Sequence, residues 1–322
     1  MVFFERVLPE RFCREFAEFK GGAHQIVMYM SLVLGIKPLL DDWIPSSRLG
    51  AFIDLCSNYG LHVRADAVHC PVNPGALSDD VVGKEYITST SAIGFPLNAE
   101  VEGNVHLFIS KDKELLKRGM WYPVIVRNRV IEQPRIDILK YGEVLGYPSC
   151  CVRFFKKYNN WSRYNFLLEI HSHSEATPHY YCNPFTKDAV YSYIYHMPCN
   201  FRCSETISLV SRLRTEIQKR EPGFVDAIDR HLNMPFLVFY ERKFYAFDGF
   251  IDDERLYYSQ VYFPDSWRPG KVYLKLLQSG NNLHISDGTV HIFSGRREVA
   301  SIGSEMREND FEYPFLIQFG KQ

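Results

Sequence analysis

The chain has 322 residues, of which 46% are hydrophobic and 23% charged, and these values are typical of folded globular proteins. They exclude a disordered chain, which would lack the apolar residues needed to offset the entropy of ordering. The 37 lysines and arginines nearly balance the 38 aspartates and glutamates, so the sequence gives no basis for general nucleic-acid binding.

The N-terminus lacks the basic head, apolar run and small-residue cleavage site of a secretory signal. The most apolar stretch, residues 26–34, has nine residues, far fewer than the ~20 that a membrane-spanning helix needs. We therefore expect a cytoplasmic protein with no membrane span. In a reducing cytosol, clustered cysteines serve metal or redox chemistry more often than disulfides.

Residues 1–134 are interpreted as a small α/β unit. Helical spacing of phenylalanines predicts a helix over residues 9–34, interrupted at Gly21-Gly22. After Asp41-Asp42, expected to be a solvated turn, Ser46 or Ser47 is predicted to cap a helix that ends at Gly60. The apolar face of that helix is predicted to carry Leu49, Phe52, Ile53 and Cys56. Strands are predicted at residues 61–65, 105–110 and 121–127, and a helix at 112–117.

Residues 135–232 are interpreted as a mainly helical region, which holds five of the eight cysteines. Ser204 is predicted to cap one helix, and Pro222-Gly223 to separate it from another at residues 225–232. From Pro235 onward alternating apolar residues predict strands, including one over residues 271–277. Residues 233–322 are therefore expected to form an antiparallel β-rich subdomain, and the fold class to be α+β.

Two motifs concentrate the candidate chemistry: Gly146-Tyr147-Pro148-Ser149-Cys150-Cys151 and His196-Met197-Pro198-Cys199-Asn200-Phe201-Arg202-Cys203. In each, a proline stands shortly before the first cysteine, and proline is favoured at the first position of a helix. If both segments open helices, Cys150, Cys151 and Cys199 lie in first turns, where the helix dipole favours thiolate over thiol.

The spacing within the motifs bears on which metal they would bind. Cys199 and Cys203 are four residues apart and share a helix face. Cys150 and Cys151 are about 100° apart on a helix, so joint ligation is expected to need a frayed turn or a multi-atom cluster. Structural zinc sites usually show two close pairs such as CxxC, so an iron–sulfur cluster on Cys150, Cys151, Cys199 and Cys203 is favoured, with zinc as the alternative.

The remaining predictions concern the candidate catalytic groups and the other cysteines and histidines. His196 is near enough to Cys199 to act as ligand or general base, with Cys150 and Cys151 as the other candidate catalytic groups. Burial in the core remains the default for any single cysteine, and Cys13, Cys56 and Cys70 are predicted to lie there. His171 is expected to belong to a solvated loop. The roles of His173, His179 and Cys182 are left open.

The pair of motifs, GYPxCCVxxF on Gly146 to Phe155 and HxPCxxxC on His196 to Cys203, resembles an uncharacterised prokaryotic family of unknown function. The likeness covers roughly residues 105–232. The resemblance implies no reaction, but it supports interpreting these cysteines as one site.

Three functions follow from these residues. The first is a metal- or iron–sulfur-dependent enzyme, or an accessory protein of a biosynthetic pathway, acting on a small-molecule or protein substrate. The second is a metal-free dithiol redox enzyme or a persulfide carrier on Cys150 or Cys151. The third is a structural zinc module that presents the β-rich region to a partner. Motifs of Rossmann, P-loop, zinc-protease and serine-hydrolase enzymes are missing from the sequence.

Overall fold

The fold comes from a computed structural model. It describes residues 12–20, 26–71, 92–95, 97–98, 101–118, 124–126, 129–132, 138–158, 166–175, 177–185, 192–240, 243–263, 271–307 and 312–320. The chain forms two compact units, one of Glu10–Lys156 and one made up mainly of Lys157–Gln322. The three-part division at residues 134/135 and 232/233 stays a prediction.

The first unit contains a four-stranded antiparallel sheet with the strand order β1-β4-β2-β3. Its strands are β1 (Leu40–Pro45), β2 (His62–Pro71), β3 (Ala92–Phe95) and β4 (Asn104–Ser110). A short hairpin pairs β5 (Val124–Val126) with β6 (Arg129–Glu132). The helices are α1 (Phe12–Lys20), α2 (Ile26–Val33), α3 (Leu49–Asn58), α4 (Lys113–Leu116), α5 (Ile138–Val144) and α6 (Ser149–Tyr158).

Aromatic packing explains where α1, α2 and α3 meet. The rings of Phe16 and Tyr29 are 4.6 Å apart, and both also contact fully buried Phe52. The predicted cap of α3 is wrong, because Ser46–Arg48 form a 3-10 turn and the N-cap residue Arg48 makes no side-chain cap hydrogen bond. Ile53 is also misassigned, since it is 41% exposed while Phe52 and Cys56 are buried.

The expected solvated turn at Asp41-Asp42 is wrong, because both residues lie in strand β1. Asp42 is buried and accepts a hydrogen bond from the Tyr29 hydroxyl. Asp41 accepts one from the Tyr141 hydroxyl at 2.6 Å and faces His106 Nε2 at 3.7 Å. These contacts lower the pKa of Asp41 against the opposing effect of its burial. Hydrogen bonds and a nearby ring nitrogen thus replace the water that the sequence pattern suggested.

The second unit is built on a seven-stranded antiparallel sheet with the order β12-β11-β10-β9-β8-β7-β13. Its strands are β7 (Pro235–Tyr240), β8 (Lys243–Asp252), β9 (Arg255–Tyr262), β10 (Asn282–Ser286), β11 (Thr289–Ser294), β12 (Arg297–Ile302) and β13 (Phe315–Gln318). Before the sheet come α7 (Phe166–Ser172), α8 (Ser204–Gln218) and α9 (Pro222–Leu232). The predicted α+β class and the antiparallel C-terminal sheet are confirmed.

One predicted strand of this unit is wrong. Residues 271–277 form helix α10 (Lys271–Leu277), which buries Tyr273 and Leu277 and leaves Val272 58% exposed. The two buried residues are four apart, the spacing of a helix face, and both join the core of the sheet. A seven-residue segment fits both periodicities, so packing decides its structure. Pro222 likewise begins α9 rather than separating it from α8, because proline is tolerated at the first helical position.

Candidate metal centre

The first motif places its two cysteines as predicted. Helix α6 begins at Ser149, so Cys150 and Cys151 occupy its first turn. Cys151 is 1% exposed, Cys150 is half-buried, and their Sγ atoms are 3.8 Å apart. The expectation that joint ligation needs a frayed turn or a multi-atom cluster stays a prediction, although the two sulfurs already lie close together at the start of a regular helix. The backbone N–H groups there favour the thiolate forms.

A Schellman turn fixes the direction of the chain before α6. The N–H of Gly146 donates to the carbonyl of Glu143, and the N–H of Tyr147 donates to that of Gly142, both at 2.9 Å. Gly146 has a φ of +73°, in the left-handed region that favours glycine. This turn ends α5 and allows α6 to begin three residues later.

Lys37, which follows α2 in the sequence, links its own segment to the same turn. Its Nζ donates to the carbonyl of Leu145 at 2.5 Å and lies 4.1 Å from the centre of the Tyr147 ring. Burial lowers the pKa of Lys37 from 10.5 to about 7, because desolvation disfavours the charged amine more than Asp41 supports it. The ammonium group is therefore held at this turn at an energetic cost.

The second motif does not open a helix at Pro198, so the prediction for Cys199 is wrong. Helix α8 begins at Ser204, and Cys203 is its N-cap residue, which also corrects the predicted capping role of Ser204. Residues 199–203 form a turn around Asn200 instead. The Asn200 Oδ1 accepts from the N–H of Arg202 at 2.8 Å, a local bond that competes with helix formation.

Contacts with other elements hold this turn in place. Fully buried Phe201 donates its N–H to Ser174 Oγ at 2.8 Å and accepts from the N–H of His179 at 2.8 Å. The Asn200 Nδ2 donates to the Cys199 sulfur at 3.6 Å, which favours the thiolate. In the sequence, the only indication of these contacts is a weak one, namely polar residues with turn propensity.

The two motifs bring four sulfurs together. The Sγ atoms of Cys150, Cys151, Cys199 and Cys203 all lie within 4.8 Å of one another. Cys151 and Cys203 are buried, whereas Cys150 and Cys199 are half-buried. None of the seven cysteines whose side chains are described forms a disulfide. A set of soft sulfur donors this close is compatible with a metal site.

His196 is buried and lies near Cys199 in the sequence, but its ring forms a hydrogen bond elsewhere. Its Nε2 is 2.9 Å from Thr206 Oγ1, and Thr206 is fully buried in α8. Among the described residues, the set of possible metal ligands contains the four cysteines and does not include His196. A role for His196 as a ligand or general base stays a prediction.

The residues between the two motifs whose roles were left open each make different contacts. Cys182 is fully buried, its Sγ donates to the carbonyl of Cys203 at 3.8 Å, and burial raises its pKa, so it remains a thiol. His179 Nδ1 accepts from the N–H of Tyr181 and caps a 3-10 turn at Tyr180–Cys182. His173 is exposed, and its Nδ1 contacts the carbonyl of Glu169 at 2.9 Å.

The cysteines predicted to be in the core differ from one another. Cys56 is fully buried in α3, as expected. Cys70 is only half-buried in β2, and its Sγ donates to the carbonyl of Glu102 at 3.1 Å. The side chain of Cys13 lies outside the described residues.

Residues 104–230 match the model of DUF483, a family described as a protein of unknown function. This match contains both motifs and confirms the resemblance to a family of unknown function. No curated protein and no solved structure matches the chain. No described helix is long and apolar enough to cross a membrane. The cytoplasmic location and the lack of nucleic-acid binding stay predictions.

Proposed function

We propose that the chain binds one thiophilic metal ion, zinc in the first instance, through Cys150, Cys151, Cys199 and Cys203. The observation that carries the proposal is the packing of four sulfurs within 4.8 Å. Zinc–sulfur bonds of about 2.3 Å at tetrahedral angles separate neighbouring sulfurs by about 3.8 Å. The Cys150 and Cys151 sulfurs already stand at 3.8 Å.

The same distances argue for a single ion over the iron–sulfur cluster that the sequence favoured. In a multi-iron cluster the cysteine ligands are distributed over several iron atoms. The cysteine sulfurs therefore lie further apart than they do around a single ion. Four cysteine sulfurs that all lie within 4.8 Å of one another leave little space between them for the iron and sulfide atoms of a cluster. A single iron remains the alternative occupant, and metal analysis separates it from zinc.

Four protein ligands would fill the coordination sphere of zinc. Structural zinc sites are closed in this way, whereas catalytic sites keep one position for water or substrate. The donor set therefore supports a structural centre, which would stabilise the folded segments that carry the two motifs by its binding energy. The half-buried state of Cys150 and Cys199 gives the ion a path of entry.

The second candidate is the metal-free thiol enzyme. The observation in its favour is the vicinal pair of thiols at a helix N-terminus, where thiolate is stabilised. Alkylation of the metal-free protein separates the two functions. A thiol enzyme has one cysteine that reacts fast at neutral pH, whereas a structural site protects all four thiols only while metal is bound.

The test is to purify the chain anaerobically and to measure zinc, iron and acid-labile sulfide per chain. We expect one zinc ion and no sulfide. Each single Cys→Ser change at the four positions should weaken zinc binding by more than about 100-fold, beyond the 10–100-fold typical of residues that only orient a ligand. Cys182→Ser is the matched control, because Cys182 is a buried neighbour outside the set.

His173→Ala serves as a second control, since His173 is an exposed metal-binding residue type in the same stretch. Both controls should retain full zinc content. The proposal fails if the purified chain holds no stoichiometric metal, or if the four Cys→Ser variants bind zinc as tightly as the controls.

A further inference from the structure

A cavity of about 450 Å³ opens beside the edge strand β13 of the second unit. Its apolar wall is formed by Pro178, Ile251, Leu316, Ile317 and Phe319. The polar lining comes from His171, Ser174, Thr177 and Gln318, and among the residues that the structure describes no charged side chain lines the cavity. Ligand pockets of about 300–1,000 Å³ commonly combine an apolar wall with a few polar groups in this way.

His171 contributes a hydrogen-bond donor to this cavity. Its Nδ1 is shut off from solvent and has no hydrogen-bond partner among the residues that the structure describes. Its ring stacks on Phe315 with the centroids 4.6 Å apart and the planes inclined by 13°. Burial lowers the pKa of His171, so the ring is neutral at pH 7 and carries one proton. The expected solvated loop at His171 is therefore wrong.

The proton belongs on the other ring nitrogen. A buried N–H without an acceptor is rarer in proteins than a buried acceptor without a donor, so Nδ1 is the bare nitrogen. Nε2 then carries the hydrogen. Unlike Nδ1, it is not among the solvent-inaccessible side-chain atoms without a partner, so it is the ring nitrogen that a ligand in the cavity can reach. The Nε2–H group of His171 can therefore donate a hydrogen bond to a ligand in the cavity.

Gln318 and Ser174 define the rest of the polar pattern. The Gln318 Oε1 accepts from the N–H of Ile251 at 2.9 Å, which leaves the amide NH₂ of Gln318 as a second donor. Ser174 Oγ is already occupied, since it donates to the carbonyl of Ile170 at 2.7 Å and accepts from the N–H of Phe201 at 2.8 Å. The side chains of His171 and Gln318 thus both offer donors, while the wall offers apolar contact.

We propose that this cavity is a binding site for a small neutral ligand with an apolar body and a carbonyl-type oxygen, which accepts hydrogen bonds from His171 Nε2 and the Gln318 amide. An anionic ligand would find no cation among the described lining residues, and the nearby guanidinium of Arg202 already donates to the carbonyl of Thr177 at 2.9 Å. The site is distinct from the four-cysteine cluster and does not require metal there. Its test reads probe binding, so its failure is distinguishable from failure of the metal proposal.

The experiment compares two probes of similar size, acetophenone and ethylbenzene, which differ in the carbonyl oxygen. Binding to the full-length chain is followed by NMR of the methyl groups of Ile251, Leu316 and Ile317, which line the cavity. We expect saturable shifts of these methyl signals with both probes. Acetophenone should bind about 3- to 10-fold more tightly, as one or two hydrogen bonds to neutral groups provide.

Two variants test the assignment. His171→Phe keeps an aromatic ring against Phe315 and removes one of the two donors, so it should reduce the preference for acetophenone over ethylbenzene to the share that the Gln318 amide provides. Leu316→Trp fills the cavity and should abolish the binding of both. His284→Phe is the matched control, because His284 also stacks on a phenylalanine, Phe293, outside the cavity.

The proposal is overturned if neither probe gives saturable shifts, if Leu316→Trp binds them unchanged, or if His171→Phe leaves the preference for acetophenone intact. His171→Phe retains the stacking partner of Phe315, so the test does not depend on Leu316→Trp folding correctly.

Discussion

The two cysteine motifs reach the same cluster by different structural routes. In the first motif, Cys150 and Cys151 lie in the first turn of helix α6, directly after a Schellman turn at Gly146. In the second, Cys199 and Cys203 lie in and at the end of a turn that precedes α8. One motif is organised by local backbone rules and the other by contacts from distant residues.

This difference explains why the sequence predicted one motif and misread the other. Proline before a helix and glycine after one act within a few residues, so they can be recognised in the sequence. The second motif depends on Ser174, which lies 27 residues before its partner Phe201. Tyr193, just before the motif, makes another pairing between distant residues, since its hydroxyl donates to Asp229 at 3.1 Å. Such pairings become visible only in the folded chain.

The largest expected effect comes from removing Asp229. Its carboxylate is 3% exposed, accepts from Tyr193, and forms a two-point ion pair with Arg214, whose closest contact is 2.8 Å. Asp229→Ala leaves Arg214 partly buried without its partner and releases Tyr193. We expect the free energy of unfolding to fall by about 3 kcal/mol, and urea denaturation measures it.

Glu216→Gln is the control, because Glu216 on α8, the helix of Arg214, pairs with the exposed side chains of Lys219 and Arg220. It should change stability little. Equal stability losses in the two variants would contradict the view that the buried pairing of Asp229 stabilises the fold more than a surface ion pair does.

The next largest effect tests the first motif. Gly146→Ala forces alanine into the left-handed region and places its Cβ 2.5 Å from Pro38 Cδ. We expect a loss of about 2 kcal/mol or more. Gly35→Ala is the control, because Gly35 has a φ of +71° but no atom within 4 Å of the added Cβ. Its loss should be about 1 kcal/mol, from backbone strain alone. Thermal unfolding of both variants measures the difference.

The smallest change, counted per pH unit, is a pH dependence of stability at the same turn. Lys37 has its pKa lowered from 10.5 to about 7, so between these values the unfolded chain holds a proton that the folded chain has lost. The lysine therefore destabilises the fold fully below about pH 7, and this penalty declines as the pH rises toward 10.5. Relative to Lys37→Met, the native chain should gain at most about 1.4 kcal/mol per pH unit in this window.

Chemical denaturation across this pH range measures the difference between the two proteins, which removes the contribution of other titrating groups. Parallel stability profiles of the native chain and Lys37→Met would contradict the lowered pKa.

Much of the fold followed from local patterns. The predicted strand at residues 105–110 corresponds to β4, and Asp112 caps α4 by accepting from the N–H of Glu114 at 2.8 Å. The errors arose where packing decides between two local possibilities. Residues 271–277 became helix α10 because that form buries Tyr273 and Leu277 against the sheet. Asp42 became a buried strand residue because Tyr29 supplies a hydrogen bond.

The candidate site shows the same limit. The four cysteines could be selected from their motifs, but the choice between one ion and a cluster required distances between sulfurs. The cavity beside β13 had no sequence signal, since His171, Ile251 and Leu316 are far apart in the chain and meet only in the folded unit.

The four cysteines are proposed to bind a single ion as thiolates. X-ray absorption at the zinc edge of the purified chain counts the ligand atoms of that ion and measures their distances. We expect four sulfur neighbours at about 2.3 Å and no second metal within bonding range of those sulfurs. A shell with nitrogen or oxygen ligands in place of any of the four sulfurs, or a metal–metal distance typical of a cluster, would contradict it.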